Sequence, residues 1–283
     1  MSWALVLTAP EADVEIVAAD LFERGALGVE VQEHAMPLMP GTPALPYGQG
    51  RLIAHFADKA AVLEVAQAVG GDALEIAEED WSVSWRAHHK TMRVGPRSWV
   101  HPPWERPPLG DGEVAVTIDP GMAFGTGAHP TTSLCLERCD ELLKLMPGVD
   151  VLDVGTGSGV IALLAKKLGA RRVVGTENDE VALRAARKGA ELNGITSVEW
   201  VLAEQPRDVA GGFGIVISNI LLNTLEELAP QIAQRVAPRG RLVLSGLLAS
   251  QGDAAARAYV AEGLRERERK EREGWLRVEL ERP

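Results

Sequence analysis

Residues 151–160 read VLDVGTGSGV, an apolar run with one acid that leads into a loop of alternating glycines. The run predicts a buried strand, and the glycines predict a tight turn into a helix. Gly155, Gly157 and Gly159 follow the spacing G-x-G-x-G, whereas the dinucleotide fingerprint G-x-G-x-x-G needs its third glycine where Val160 stands. The stretch therefore predicts an α/β fold with a ligand at the end of this strand, and it argues against a nicotinamide-dependent oxidoreductase.

Strand and helix patterns alternate on both sides of this stretch, over residues 113–283. Strands are predicted in VAVTID, DVLDVG, RRVVGTE, VEWVLAE, GIVISN and RLVLSGL, and helices at 130–146, 159–168, 179–193 and 225–237. Alternation of this kind is typical of a parallel sheet covered on both faces by helices. We therefore expect a doubly wound, Rossmann-like domain whose charged tail, from RERERKERE to LRVEL, forms an antiparallel hairpin.

Residues 1–80 follow a different order, β-α-β-β-α-β. Strands are predicted in WALVLTA, GVEVQE, RLIAHF and ALEIAEE, and helices in EADVEIVAADLFERGA and DKAAVLEVAQAVGG, the second capped by Asp58. This order predicts an N-terminal ferredoxin-like α+β domain. Residues 81–112 are dense in proline, tryptophan and histidine and predict a connector. Its adjacent His88 and His89 have no further ligand at metal spacing, so we expect no metal site.

The net charge of −11 lies in one part of the 283-residue chain. Residues 1–80 contain 14 acidic and three basic side chains, whereas the rest of the chain contains 26 of each. The negative charge of this segment argues against a nucleic-acid partner and favours a basic partner. The alternative is an acidic surface that only keeps the protein soluble. The sequence has no run of about 18 uncharged apolar residues and no signal-peptide start, so we expect a cytoplasmic protein without membrane contact.

The acid before the glycine loop indicates the charge of the ligand. Asp153 is a poor neighbour for a phosphate and a good one for a cation, and S-adenosylmethionine carries a sulfonium and an ammonium. Twenty-two residues after Gly155, Glu177 ends the next predicted strand, where a carboxylate accepts both hydroxyls of a ribose. Glu204, after the following strand, either approaches the adenine or is solvated. The loop AFGTGAHPTT at 123–132 is expected to fold over this ligand, its threonine hydroxyls holding the methionyl end.

Asn219, in IVISNILLN, ends a further predicted strand at the same edge of the sheet. Its amide can accept a hydrogen from an amine while the carbonyl of Ile220 accepts another. Amino methylation requires a neutral amine, although the pKa of a free lysine is about 10.4. Neutral acceptors beside a sulfonium favour that neutral form, so no nucleophile from the protein is needed. His129 is the one nearby group that could take a proton, and we expect it to shape the loop instead.

These motifs occur in one order along the chain, and together they resemble the ribosomal protein L11 methyltransferases. The resemblance is carried by DPGMAFGTGAHPTTSLCLE, VLDVGTGSGV, KLGARRVVGTENDEVALRAA, NGI, SNILLNTLEELAP and RLVLSGLLASQ. It implies a class I methyltransferase domain at 113–283 that uses S-adenosylmethionine to methylate lysine side chains and the N-terminus of ribosomal protein L11, with an acidic substrate-recognition domain at 1–80. The cofactor contacts that it implies are Thr132, Gly155, Glu177 and Asn219. Together with the residues inferred from the loop motifs, the candidate cofactor site contains Thr126, Thr132, Asp153, Gly155, Gly157, Glu177 and Asn219. Asn219 is also the candidate for positioning the amine.

The sequence departs from the family pattern at a few of these positions. Glu177 stands where the family more often has Asp, Ala128 where Thr is frequent, and Ala203-Glu204 where Gly-Asp is usual. Leu222 stands where Ala is usual after Asn-Ile-Leu. The larger Leu222 side chain is expected to narrow the approach of the amine and to affect how many methyl groups are transferred.

Alternative functions remain open. Methyltransferases of nucleic-acid bases or of release-factor glutamine share this sheet but carry Asn-Pro-Pro-Tyr, whose ring stacks on a planar group, whereas this chain has Asn219-Ile-Leu-Leu. Another basic protein is also a possible methylation substrate. A non-catalytic binder of the ribosomal protein would need only the acidic domain, and the presence of every cofactor motif argues against it.

Overall fold

The computed structural model describes residues 2–10, 13–32, 48–76, 90–119, 127–203 and 206–283. The chain divides into two compact units, Met1–His88 and His89–Pro283. Each unit has its own sheet and its own buried core. In the part of the chain that is described, no helix is long and apolar enough to cross a membrane.

The first unit has the element order that its sequence predicts. Its elements are β1 (Ser2–Pro10), α1 (Val14–Glu23), β2 (Gly28–Gln32), β3 (Gln49–Phe56), α2 (Lys59–Val69) and β4 (Asp72–Ile76). The strands form one antiparallel sheet in the order β2-β3-β1-β4, which confirms the ferredoxin-like arrangement. Leu5, Leu52 and Phe56 of the sheet pack with Leu21 and Val62 of the helices because alternate strand residues face them. The side chain of Asp58 caps α2 by accepting from two backbone N–H groups at 2.9 Å.

The second unit is built on a seven-stranded sheet. Its elements are β5 (Met92–Arg93), β6 (Ser98–His101), β7 (Val114–Thr117), α3 (Pro130–Leu145), β8 (Val151–Val154), α4 (Val160–Lys167), β9 (Val173–Glu177), α5 (Glu180–Leu192), β10 (Val198–Leu202), β11 (Phe213–Asn219), α6 (Leu222–Glu227), α7 (Ala229–Arg235), β12 (Val236–Leu248), α8 (Gly252–Ala261), β13 (Arg265–Arg272) and β14 (Trp275–Glu281). The large sheet has the order β10-β9-β8-β11-β12-β14-β13. Its first five strands are parallel, and β14 is antiparallel to both of its neighbours, which confirms the tail hairpin.

Alternate residues of the central strands supply the cores on the two faces of this sheet. Val151 of β8 and Ile215 of β11 face the core shared with α3, α4 and α5. Leu152 and Val216, the next residues along, face the core shared with α6, α7 and α8. Helices therefore cover both faces, and the doubly wound class predicted from the sequence is confirmed.

Two helices differ from the prediction. The single helix expected at 225–237 is two helices, α6 and α7, because Pro230 in the first turn of α7 lacks the backbone N–H that a continuous helix needs. Residues from Val236 onward belong to β12. Helix α8 was not predicted from the sequence, because its buried face consists largely of small residues such as Ala255 and Ala256, which give a weak apolar pattern.

Residues 90–112, expected to form part of a connector, are an integral part of the second unit. Strands β5, β6 and β7 form a three-stranded sheet, and Val94 and Val100 are buried in the core on the α3 side of the large sheet. The buried carboxylate of Asp140 on α3 accepts from the backbone N–H of Arg97 at 2.7 Å and from the hydroxyl of Ser98 at 2.8 Å. The density of proline and tryptophan obscured these short strands in the sequence. The remaining connector residues, 81–89, which include His88 and His89, lie outside the described ranges.

Candidate active site

A cavity of about 740 Å³ lies at the carboxyl ends of the parallel strands. Its wall includes the glycine loop after β8, the end of β9, the residues that follow β10, and the end of β11 with helix α6. Ligands of doubly wound sheets bind at this edge, and the volume is in the range typical of small-molecule sites. The cavity therefore lies where the glycine loop predicted a ligand.

The glycine loop approaches the β11–α6 turn too closely for any side chain. Gly155 and Gly157 line the cavity and have φ angles of 72° and 53°. A Cβ atom on Gly155 would lie 2.5 Å from Cγ2 of Ile220. The N–H of Gly155 donates to the carbonyl of Thr176 at 2.9 Å. Glycine is thus required both for the left-handed backbone and for the contact between the two loops.

Asp153 lies beneath this loop and does not line the cavity. Its carboxyl is wholly buried, and Oδ2 accepts from the hydroxyl of Thr156 at 2.6 Å and from the N–H of Ala162 at 3.2 Å. Oδ1 has no partner among the described residues. Burial raises the pKa of Asp153 to about 7, although both hydrogen bonds act in the opposite direction. The side chain therefore ties the loop to the first turn of α4.

Glu177 lines the cavity at the end of β9. Oε2 accepts from the N–H of Gly157 at 2.9 Å, and Oε1 accepts from the N–H groups of Asn178 at 3.0 Å and Asp179 at 3.4 Å. These bonds fix the carboxylate against the glycine loop. A carboxylate has about four acceptor positions, so Glu177 keeps capacity for a ligand hydroxyl.

Asn219 and Thr132, which are 87 residues apart, meet beside the cavity. Nδ2 of Asn219 donates to Oγ1 of Thr132 at 3.1 Å, and Thr132 is buried in the first turn of α3. Asn219 lines the cavity, and no described residue donates to its Oδ1. The bond to Thr132 thus orients the amide so that its carbonyl oxygen is the group left to accept a hydrogen.

His129 starts the helix that carries Thr132. Its Nδ1 accepts from the N–H of Thr131 at 3.4 Å, which makes His129 the cap of α3, and its ring lies edge-on to Trp275 with 4.7 Å between centroids. The loop that it was expected to shape lies partly outside the described residues, so that role stays a prediction. Thr126 and Glu204 lie outside the described residues, and their predicted roles stay predictions.

The family is decided by comparison with known proteins. Residues 2–283 match the family model described as "Ribosomal protein L11 methyltransferase (PrmA)". The chain belongs to the ribosomal protein L11 methyltransferase family.

Relatives in this family match over the full length. The chain is 41% identical over 286 residues to the ribosomal protein L11 methyltransferase of Myxococcus xanthus, covering 99% of this chain and 98% of that protein. It is 39% identical over 297 residues to that of Pseudomonas aeruginosa, with 98% of each covered. The crystal structure of a ribosomal protein L11 methylase from Lactobacillus delbrueckii subsp. bulgaricus superposes with a TM-score of 0.62 and 28% identity, covering 69% of this chain and 98% of that one.

The structure of this L11 methyltransferase family member also adds residues that the sequence reading missed. Pro206, Thr224, Glu227 and Leu228 line the cavity. The last three have helical spacing, along α6 and at its C-terminal cap, and this signal could have placed them on one wall of the cavity. Leu222, expected to narrow the approach of the amine, instead packs half-buried against the core of α6, α7 and α8 and is not among the described cavity residues, because the first turn of α6 turns its side chain inward.

Proposed function

We propose that this chain transfers methyl groups from S-adenosylmethionine to amino groups of ribosomal protein L11, namely lysine side chains and the N-terminus. One observation carries the proposal beyond family membership: the amide of Asn219 is held by Thr132 with its carbonyl oxygen left open at the cavity. A neutral hydrogen-bond acceptor in this position suits an amine that must react through its lone pair.

The residues around the cavity fit S-adenosylmethionine. Gly155 and Gly157 leave room for close approach of a ligand to the backbone, and Glu177 offers acceptor positions to a ribose. Ala203 and Leu228 contribute apolar wall suited to a purine. Within the described ranges, no lysine or arginine lines the cavity, as expected for a ligand that carries positive charge.

Asp153 and Thr132 act on this ligand through their neighbours. Asp153 fixes the glycine loop by its bonds to Thr156 and Ala162, and Thr132 fixes Asn219. We therefore assign Gly155, Gly157, Glu177 and Asn219 to direct contact with the cofactor. Asp153 and Thr132 are positioning residues.

The protein's part in the reaction is to bind and orient the amine. When bound, S-adenosylmethionine supplies an electrophilic methyl group on its sulfonium. Asn219 accepts one N–H of the incoming amine, which turns the nitrogen lone pair away from that hydrogen bond. The neutral character of Asn219 and Thr132 avoids stabilising the ammonium form, which has no lone pair to react. Alignment, without a protein nucleophile, thus accounts for the catalytic contribution of these residues.

We further propose that the acidic segment at 1–80 recognises the protein substrate. Its net charge of −11 would attract a basic partner, whereas the rest of the chain is neutral overall. A ribosomal protein substrate would place this encounter in the cytoplasm.

Mass spectrometry of purified ribosomal protein L11 tests the proposal directly. L11 is incubated with the full chain and S-adenosylmethionine, with NAD in place of the methyl donor as one control and the Asn219→Ala variant as another. We expect mass gains in methyl-sized steps that map to lysines or to the N-terminus, and much slower gains with Asn219→Ala. An unchanged L11 mass, despite measurable binding of S-adenosylhomocysteine, would contradict L11 as substrate and direct the search to other basic proteins or to release-factor glutamine.

A further inference from the structure

Helix α6 presents a row of side chains to the cavity beyond Asn219. Thr224, Glu227 and Leu228 all line it and are spaced by three and four residues, so they lie on one face of the helical turn. Glu227 is exposed, and no described residue donates a hydrogen bond to it or forms an ion pair with it. An open carboxylate on the wall of a ligand cavity needs a partner of donor character.

Glu227 lies toward the end of the cavity away from Asn219. An α-helix rises about 1.5 Å per residue, which places Glu227 roughly 7 Å along the axis from Leu222, where α6 begins. Helix α7, which starts two residues later, contacts the turn Pro206–Asp208 that follows β10. Pro206 and Ala203 also line the cavity. Glu227, the last residue of α6, therefore leads directly into the helix that contacts the residues after β10, whereas Asn219 precedes α6.

Part of the cavity lining suits a purine ring with one donor edge. It includes small or apolar side chains, namely Val181, Ala182, Ala203, Pro206 and Leu228. The two other lining acids are already engaged by backbone N–H groups, since Glu177 accepts from Gly157 and Asp179 accepts from Val181 at 2.8 Å. Among the described lining residues, Glu227 is thus the carboxylate with both oxygens open.

We propose that Glu227 is a specificity-determining residue for the methyl donor: its carboxylate accepts a hydrogen bond from the exocyclic amino group of the adenine. The inference rests on the proposed use of S-adenosylmethionine. A purine that carries a carbonyl in place of that amino group would set an acceptor against the carboxylate. Such an analogue binds more weakly, because it loses the hydrogen bond to the carboxylate and sets two acceptors against each other.

Binding isotherms with two ligands test this assignment without measuring catalysis. S-adenosylhomocysteine and S-inosylhomocysteine, its analogue with a carbonyl in place of the adenine amino group, are titrated into the full chain. The variants are Glu227→Gln, Glu204→Gln, and Glu226→Gln as the matched control, since Glu226 is exposed on the same helix and is not among the lining residues. We expect the wild type to prefer the adenine ligand by about ten-fold or more, which corresponds to about 1.4 kcal/mol.

Glu227→Gln is expected to lose most of this preference, because a glutamine amide can donate to the carbonyl of the inosine ligand as well as accept from adenine. Glu226→Gln is expected to keep the wild-type ratio. A wild-type ratio in Glu227→Gln, or a loss confined to Glu204→Gln, would overturn the assignment of Glu227 while leaving the proposed function intact. Failure of the wild type to bind S-adenosylhomocysteine would instead contradict the proposed function itself, and the inference with it.

Discussion

The hydrogen bond between Thr132 and Asn219 decides which atom of the amide is left open at the cavity. Thr132→Val keeps the shape of the side chain but removes the acceptor for Nδ2 of Asn219. We expect kcat for methylation of L11 to fall about five-fold, with little change in the affinity for S-adenosylhomocysteine, because one oriented hydrogen bond contributes about 1 kcal/mol. Thr132→Ser, which retains the hydroxyl, serves as control and should keep most of the activity. Initial rates equal to wild type in the valine variant would show that the pair does not orient the amine.

The buried carboxyl of Asp153 predicts a dependence of stability on pH. Burial raises its folded-state pKa to about 7, above the value of about 3.9 expected in the unfolded chain. A raised carboxyl pKa means that the folded state binds the proton more tightly, so this contribution to stability is present below pH 4 and is lost as the pH rises to 7. The free energy of unfolding of the wild type, relative to that of Asp153→Asn, should therefore fall by more than about 1 kcal/mol between pH 4 and pH 7. Denaturant titrations across this range measure it, and parallel curves for the two proteins would rule the effect out.

At the scale of elements, the sequence predicts those whose apolar pattern is strong. Strands β8, β9 and β11 are largely apolar and were predicted, and so were the positions of Glu177 and Asn219 at the ends of β9 and β11. Helix α8 was missed because it packs by small side chains, and β6 because only four residues form it among prolines and tryptophans.

Side-chain hydrogen bonds between distant elements could not be predicted from the sequence either. Both Thr132 and Asn219 were predicted as site residues. Because they are 87 residues apart, their positions in the sequence do not indicate that Asn219 donates a hydrogen bond to Thr132. For Asp153, the sequence indicated the position but not the environment of the side chain. Its position before the loop was evident, whereas its burial, and hence its bonds to Thr156 and Ala162 in place of a ligand, depends on how α4 packs on the strand.

The turn between β11 and α6 depends on a glycine in the neighbouring strand. Gly246 of β12 has a φ of 83°, and a Cβ atom there would overlap the backbone of Ile220, the residue after Asn219. Gly246→Ala should therefore displace this turn, lowering both the free energy of unfolding, by roughly 1 kcal/mol or more, and the rate of methylation.

Gly263→Ala provides the matched control for this prediction. Gly263 has nearly the same φ, 84°, but nothing lies within 4 Å of the added Cβ atom. Its substitution should cost roughly 1 kcal/mol of stability from backbone strain while leaving the methylation rate of the folded protein unchanged. Equal methylation rates in the two alanine variants would mean that Gly246 is needed for its backbone conformation alone and not for the placement of Asn219.

At the scale of the whole molecule, the described cavity and the excess negative charge belong to different units. The described cavity is lined entirely by residues of His89–Pro283, which has buried cores of its own. The excess negative charge lies in residues 1–80. A chain of residues 89–283 should therefore bind S-adenosylhomocysteine with the affinity of the full chain, while kcat/KM for L11 falls by at least about ten-fold because the attraction to a basic substrate is lost. Calorimetry and mass spectrometry measure the two quantities.

Charge-neutralising variants of the full chain separate this electrostatic effect from the loss of a domain. Glu23 and Glu64 are exposed in the first unit, and their joint replacement by glutamine should raise KM for L11 and weaken the dependence of KM on salt. Replacing Glu191 and Glu271, exposed acids of the second unit, is the control and should leave KM near its wild-type value. Equal effects of the two sets would indicate that net charge alone attracts the substrate. If the truncated chain methylated L11 as fast as the full chain, the acidic segment would have no part in recognition.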